Sequence, residues 1–169
     1  TSGDLNGIGM EVIIKTFEDK RMMDFCTPII FSSSKASLYH RKFLDIKNFN
    51  FNIINDFNKV NDRQANLINC SEEDIEINLG QVSSKIGKQA YISLEKAKDA
   101  LKNNFIDVLV TAPVNKSAIQ KSQKDFIGHT EYLEQNFKGQ ALMMMVSENI
   151  KIAFVTSHVP LAKVSEMIT

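Results

Sequence analysis

The chain has 169 residues, of which 43% are hydrophobic and 24% are charged, a composition typical of a folded globular protein. Its 20 basic residues balance its 20 acidic residues, so no net field favours nucleic acid or an anionic membrane surface as a partner. Two cysteines are too few for a disulfide scaffold, and no apolar stretch approaches the ~20 residues that span a bilayer. We therefore expect a cytoplasmic protein that binds neither nucleic acid nor membrane.

The first half of the chain alternates helical and strand patterns. Apolar residues at helical spacing predict a helix over Ile8–Met23, and Ser34 is the predicted N-cap of a helix that extends to Leu44. The acidic stretch 72–76 predicts a solvated loop. Short apolar runs predict three strands, at 28–31, 51–55 and 66–69.

The second half begins with the longest predicted helix, Gly87–Phe105. The apolar run 107–111 ends at an Ala-Pro pair, as a buried parallel strand does where it opens into a loop at its carboxyl end. A further helix is predicted over 128–137, and Pro160 begins the last one. Two apolar runs separated by three residues predict a hairpin, 141–146 with 150–156. Together these elements predict an α/β fold with a mixed sheet.

A glycine-rich loop, residues 3–9, precedes the first predicted helix. The backbone N–H groups of such a loop, together with a helix N-terminus, can bind an anion. Its glycine spacing matches neither the dinucleotide-binding pattern G-x-G-x-x-G nor the P-loop. A tight turn that only starts a helix is an equally good interpretation of these residues.

The segment Thr111-Ala112-Pro113-Val114-Asn115-Lys116 follows the predicted strand directly. It combines a hydroxyl, an amide and an ammonium group, which suits a phosphate or a carboxylate. Lys116 would act as a point charge and Asn115 as an orienting donor. The alternative, which the residues alone favour, is that Asn115 caps a helix over 116–122 and Lys116 is only solvated.

The three histidines differ in context. His129 and Thr130 stand at a predicted helix start and can face a ligand, although a lone histidine there is more often structural. His158 follows the predicted strand 150–156, where an imidazole can bind a metal or exchange a proton. His40 is predicted to be an exposed surface residue without a role.

These motifs occur in the order found in the 4-hydroxythreonine-4-phosphate dehydrogenase family, and the chain resembles the N-terminal half of that family. The family opening G-D-P-A-G-I-G-P-E is matched by Gly3–Glu11, with departures at Leu5, Asn6 and Met10. The family segments T-A-P-x-N-K, G-H-T-E and S-H-x-P-L are matched in turn by Thr111–Lys116, Gly128–Glu131 and Ser157–Leu161.

The resemblance implies the two-lobed α/β fold of the isocitrate and isopropylmalate dehydrogenases, only partly covered by this chain. On that basis residues 1–127 belong to the first lobe, and residues 128–169 begin the second. We expect the remainder of the protein to lie outside this chain. The family also implies a homodimer with an active site shared between subunits.

The activity that the resemblance implies is the oxidation of 4-phosphohydroxy-L-threonine with NAD, or NADP, and a divalent metal, which is zinc, magnesium or cobalt. The 3-oxo acid formed decarboxylates to 3-amino-2-oxopropyl phosphate, in the synthesis of pyridoxine 5'-phosphate. One alternative is a sister dehydrogenase that acts on 4-phospho-threonate or 4-phospho-erythronate. Another is a non-catalytic binding protein of the same fold.

The resemblance also assigns roles to residues. His158 matches the first of three metal-binding histidines, and the other two are expected beyond Thr169. His129 and Thr130 match residues that bind substrate, and Asn115 is a further substrate-binding candidate. Lys116 is the candidate catalytic group, for anion binding or proton transfer. No residue is assigned to cofactor binding.

Overall fold

The structure of the chain is a computed structural model that describes residues 1–156 and 159–168. The chain divides into two compact units, Thr1–Gly128 and His129–Thr169. That these units are parts of the two lobes of a larger protein stays a prediction. In the described residues, no helix has the length and apolar character that crossing a membrane requires.

The first unit contains a parallel sheet of three strands in the order β1-β3-β2. The strands are β1 (Ile29–Ser32), β2 (Asn52–Ile54) and β3 (Asn66–Asn69). The helices of this unit are α1 (Gly9–Glu18), α2 (Ser34–Phe43), α3 (Ser84–Lys102) and α4 (Lys116–Gln120). The three strands lie where the short apolar runs predicted them.

Helices pack on both faces of this sheet. Because successive side chains of a strand point to opposite faces, Ile30 of β1 packs in one cluster with Met10 and Ile14 of α1. Its neighbour Phe31 packs on the other side with Ala97 of α3. Burial of each large side chain of this kind contributes ~1.5–3 kcal/mol, so the two clusters fix α1 and α3 against β1.

Local capping explains where the helices begin and end. Ser33, one residue before the predicted cap, accepts a hydrogen bond from the backbone N–H of Ala36 and starts α2. The helix predicted over Ile8–Met23 is too long, because Asp19 has extended backbone angles and caps a separate 3₁₀ turn, Lys20–Asp24. The prediction that α3 is the longest helix is confirmed for the described part of the chain, where it has 19 residues, but it begins and ends three residues earlier than predicted.

The predicted buried strand over 107–111 is wrong. Val108 and Val110 are 73% and 76% exposed, and this segment belongs to neither sheet of the described residues. Its backbone contacts run instead to Thr1, whose amino group donates to the carbonyl of Val110 at 2.8 Å. The apolar pattern identified an extended segment, but burial also requires a neighbouring strand along its length.

The second unit contains the helix α5 (His129–Asn136), strands β4 (Met144–Val146) and β5 (Lys151–Ala153), a 3₁₀ turn over Leu161–Lys163 and the helix α6 (Val164–Met167). The antiparallel pairing of β4 with β5 confirms the predicted hairpin. It forms a two-stranded sheet of its own. The predicted α/β class, with both parallel and antiparallel pairing, is thus confirmed.

Candidate functional site

The opening loop lies against the segment that follows 107–111. The backbone N–H of Asp4 donates to the carbonyl of Pro113 at 2.9 Å, and that of Ala112 donates to the carbonyl of Thr1 at 3.3 Å. Gly3 has a φ of +65°, and a Cβ atom there would lie 2.3 Å from the carbonyl oxygen of Pro113. Glycine is therefore required at this position both by conformation and by close approach. Two segments that the sequence singled out are brought side by side.

Asn6 fixes the opening loop through hydrogen bonds to the segment 78–81. It is 3% exposed, and its side chain donates to the carbonyl of Gln81 at 2.8 Å and accepts from the N–H of Asn78 at 3.0 Å. Its backbone carbonyl accepts from the N–H of Gly80 at 2.8 Å. Asn6 is one of the departures from the family opening, and it holds the segment 78–81 against the loop.

His40 is buried, contrary to the prediction that it is a surface residue. It lies on the same helical face as Ala36 and Ser37, which are also buried, because residues three and four apart share a face. Its Nε2 atom lies 2.8 Å from the carbonyl oxygen of Leu5, so that nitrogen carries a proton and donates it. Burial lowers the pKa of His40, while the bond to Leu5 and the charge of Glu11 act in the opposite direction.

The sequence offered one signal for His40, which is its spacing from Ala36 on a helix. It offered none for Leu5, which lies 35 residues away. His40 therefore fixes the position of the opening loop, a role that pattern reasoning missed. At neutral pH a histidine with a lowered pKa is uncharged, as its buried position requires.

Asn115 and Lys116 lie at the start of α4. The side-chain oxygen of Asn115 accepts from the N–H of Ala118 at 3.0 Å, so Asn115 is the helix cap that the residues alone favoured. Lys116 is exposed, and no ion pair of Lys116 occurs within the described part of the chain. Substrate binding by Asn115 and catalysis by Lys116 stay predictions.

The position of α4 depends on a glycine in α3. A Cβ atom at Gly87 would lie 2.1 Å from the carbonyl oxygen of Ala118, a distance that no side chain can occupy. Gly87 therefore allows α4 to pack directly on the backbone of α3. This contact therefore fixes the position of α4, which begins at Lys116.

In the second unit, His129 and Thr130 are the first two residues of α5. His129 is partly buried and Thr130 is exposed, and Glu131 places a negative charge in the first helical turn, where the helix dipole favours it. Their predicted role in substrate binding stays a prediction. His158, the predicted metal ligand, lies outside the described residues.

A metal centre is not assembled by the described residues alone. Among residues 1–156 and 159–168, no group of three or more His, Cys, Asp or Glu side chains is arranged to hold a metal ion. A catalytic divalent site usually has about three protein ligands. The described residues therefore do not form a complete metal site.

Comparison with known proteins identifies the family. The family model described as pyridoxal phosphate biosynthetic protein PdxA matches residues 24–169. The chain belongs to the PdxA family. It is 39% identical over 171 residues to the 4-hydroxythreonine-4-phosphate dehydrogenase of Bacteroides thetaiotaomicron, which covers 100% of this chain and 47% of that protein.

Two further PdxA relatives differ in their names. A 4-hydroxythreonine-4-phosphate dehydrogenase of Campylobacter jejuni is 28% identical, with 99% of this chain and 50% of that protein covered. A putative D-threonate 4-phosphate dehydrogenase of Clostridium botulinum is 29% identical, with 99% of this chain and 51% of that protein covered. The chain spans about half the length of the curated relatives it matches.

Solved structures share the fold of this PdxA chain. A 4-hydroxythreonine-4-phosphate dehydrogenase from Burkholderia phymatum matches with a TM-score of 0.86 and 24% identity, over 96% of this chain and 50% of that one. A putative enzyme of the same name from Salmonella typhimurium matches with a TM-score of 0.83 and 20% identity, over 98% of this chain and 52% of that one. These matches confirm the α/β fold class and show that the chain covers about half of each of those structures.

Proposed function

We propose that the full-length protein is a cytoplasmic dehydrogenase that oxidises 4-phosphohydroxy-L-threonine with NAD and a divalent metal in pyridoxine 5'-phosphate synthesis. The observation that carries the proposal is membership of the PdxA family. The 39% identity to a 4-hydroxythreonine-4-phosphate dehydrogenase, over all of this chain, supports it. The contact between the opening loop and Pro113 supports it, because it brings two of the matched family motifs together.

In the proposed reaction the secondary hydroxyl of the substrate loses its proton, and its carbon transfers a hydride to the nicotinamide. The resulting 3-oxo acid loses carbon dioxide, and the carbon left behind takes up a proton to give 3-amino-2-oxopropyl phosphate. A divalent metal, when bound, polarises oxygen and stabilises negative charge on it. His158 is proposed as one ligand, with the remaining ligands outside this chain.

Residues of the first unit would bind the charged ends of the substrate. Lys116 is exposed at the head of α4, where it can offer a positive charge to the phosphate or carboxylate, or take part in proton transfer. Asn115 uses its side-chain oxygen as the helix cap, which leaves its amide nitrogen as a donor for a substrate oxygen. For His129 and Thr130, a role in substrate binding is proposed from the match to the family segment G-H-T-E.

A homodimer with a shared active site is part of the proposal. It is supported by the apolar surface of the β4–β5 hairpin, where Met145 is 57% exposed, Val146 64% and Ile152 51%. Contiguous exposed apolar side chains on a globular protein commonly mark an interaction surface. Light scattering on the full-length protein should give twice the subunit mass, and a monomer would contradict this part of the proposal.

A second candidate function is the oxidation of 4-phospho-D-threonate, which is favoured by the relatives named putative D-threonate 4-phosphate dehydrogenase. The test is NADH formation by the purified full-length protein, with each of the two substrates in turn and with divalent metal supplied. We expect turnover of 4-phosphohydroxy-L-threonine. Turnover of 4-phospho-D-threonate alone would support the second candidate, and turnover of neither would contradict a dehydrogenase role with these substrates.

A further inference from the structure

His40 is a buried residue of α2 that belongs to none of the motifs matched in the sequence. Its side chain is 2% exposed, and its Nε2–H donates to the carbonyl of Leu5 at 2.8 Å. The rings of Tyr39 and His40 are nearly perpendicular, with centroids 5.6 Å apart. The imidazole is therefore held on the buried face of α2, with its Nε2–H directed at the opening loop.

The bond from His40 orients one peptide group of the opening loop. The carbonyl of Leu5 and the N–H of Asn6 belong to the same planar peptide group, and that N–H donates to Oδ1 of Asp4 at 2.9 Å. His40 thus holds one end of the peptide group, and the carboxylate of Asp4 holds the other. Because a rotation of the group would break both bonds, the conformation of the loop around Asp4 depends on His40.

Asp4 in turn joins the opening loop to the segment that enters α4. Its backbone N–H donates to the carbonyl of Pro113 at 2.9 Å, two residues before the helix cap Asn115. Beside this bond, the N–H of Ala112 donates to the carbonyl of Thr1 at 3.3 Å. The chain therefore enters α4 along a path that the opening loop fixes.

The contact between these two segments is too close for the loop to shift alone. A Cβ atom at Gly3 would lie 2.3 Å from the carbonyl oxygen of Pro113, and one at Gly9 would lie 3.2 Å from the Cβ atom of Ala112. Closely packed groups transmit a displacement to their neighbours. A shift of the loop would therefore also move residues 112–113, which lead into α4.

We propose that His40 is a positioning residue for substrate binding. By holding the carbonyl of Leu5, it keeps the opening loop against Pro113. That contact fixes the entry of α4, and with it the direction of the exposed Lys116 side chain. A phosphate or carboxylate of the substrate then meets a lysine whose backbone is already in place, which lowers the cost of binding. The inference rests on the proposed function, because it takes Lys116 as the group that binds the substrate anion.

Two substitutions of His40 separate its hydrogen bond from its volume. His40→Gln keeps an N–H donor at about the reach of Nε2, whereas His40→Leu fills similar space without a donor. We expect hydrogen exchange of the Asp4 amide in the full-length protein to be at least ~10-fold faster in His40→Leu and unchanged in His40→Gln. Unchanged exchange in His40→Leu would overturn the proposal, as would equal acceleration in both variants. This comparison requires no turnover and is independent of the proposed function.

The unmodified protein offers a check that does not depend on whether His40→Leu folds. A ¹⁵N spectrum of the imidazole reports which ring nitrogen carries the proton. At neutral pH we expect the proton on Nε2, since a carbonyl oxygen such as that of Leu5 can only accept. A neutral ring with its proton on Nδ1 would be incompatible with the proposal, because Nε2 could then not donate to the loop.

Steady-state kinetics of the full-length protein test the effect on substrate binding. With 4-phosphohydroxy-L-threonine, His40→Leu should raise KM about 10-fold and change kcat less than about 2-fold. Partial unfolding would instead lower the apparent kcat at an unchanged KM, and that result would contradict the proposal. In a Lys116→Ala background, His40→Leu should raise KM less than about 2-fold. An undiminished effect there would mean that His40 does not act through Lys116. Absence of turnover in the unmodified protein would contradict the proposed function, and not the contact measured by exchange.

Discussion

The opening loop and the segment 106–111 are neighbours in the first unit, yet they are stabilised in opposite ways. In the loop, the buried side chain of Asn6 has partners for both of its polar groups, and His40 holds the carbonyl of Leu5. In the segment, Val108 and Val110 are exposed apolar residues. The loop is determined by contacts within this chain, whereas in the segment the side chains of Val108 and Val110 stay largely in solvent.

The largest effect on stability is expected at Gly3, in the opening loop. Gly3→Ala places a Cβ atom 2.3 Å from a backbone oxygen and keeps a φ of +65°, whereas Gly80→Ala has a φ of +77° with nothing within 4 Å. We expect the first to cost about 3 kcal/mol or more and the second about 1–2 kcal/mol. Denaturant unfolding measures both, and equal costs would mean that the loop does not approach Pro113 closely.

A smaller effect is expected at Asn6. Asn6→Ala leaves the N–H of Asn78 and the carbonyl of Gln81 without a side-chain partner, and we expect a loss of about 2 kcal/mol of unfolding free energy. Asn58→Ala is the matched control, since Asn58 bonds only within an exposed turn. The control should change stability by less than about 0.5 kcal/mol. An equally small change for Asn6→Ala would mean that the side-chain bonds of Asn6 do not hold the segment 78–81 against the loop.

The pH dependence of stability tests whether His40 is buried as an uncharged group. Since its pKa is lowered in the folded state, the unfolded chain takes up a proton first as the pH falls below about 6.5. His40 therefore contributes a loss of stability from that pH down to its folded pKa, and none above it. Urea unfolding of His40→Gln should show a flatter decline with falling pH than the natural chain. An unchanged decline would mean that His40 is not buried as an uncharged group.

The smallest effect on stability is expected at Lys116. Because it is exposed, Lys116→Ala should change the free energy of unfolding by less than about 0.5 kcal/mol. We expect kcat/KM of the full-length protein to fall at least ~10-fold, a loss of ~1.4 kcal/mol of transition-state stabilisation. Lys121→Ala, at the other end of α4, is the control and should leave kcat/KM unchanged. Equal activity of the two variants would remove Lys116 from the candidate site.

Features that depend on neighbours in sequence were predictable. The strand β3 and the helix α3 follow from runs and periodicity that lie wholly within their own residues, and Asn115 caps α4 as its residue type suggested. The end of α1 was missed, although Asp19 is a residue type that favours a cap.

Features that depend on distant partners were not predictable. The burial of His40 requires the carbonyl of Leu5, 35 residues away, and no pattern around His40 encodes that contact. The segment 107–111 has the composition of a buried strand, but that composition does not show whether another strand pairs with it along its length. The candidate site was located through matched motifs, since Thr111–Lys116 taken alone favoured a capped helix and a solvated lysine.

The measurement that tests the proposed function most directly is metal content together with NADH formation in His158→Ala of the full-length protein. We expect this variant to lose most of its metal and nearly all turnover, because two remaining ligands would hold the ion poorly. His40→Gln, which alters a histidine bonded to the opening loop, should keep its metal. Full metal occupancy and undiminished turnover in His158→Ala would contradict the proposed metal-dependent dehydrogenase.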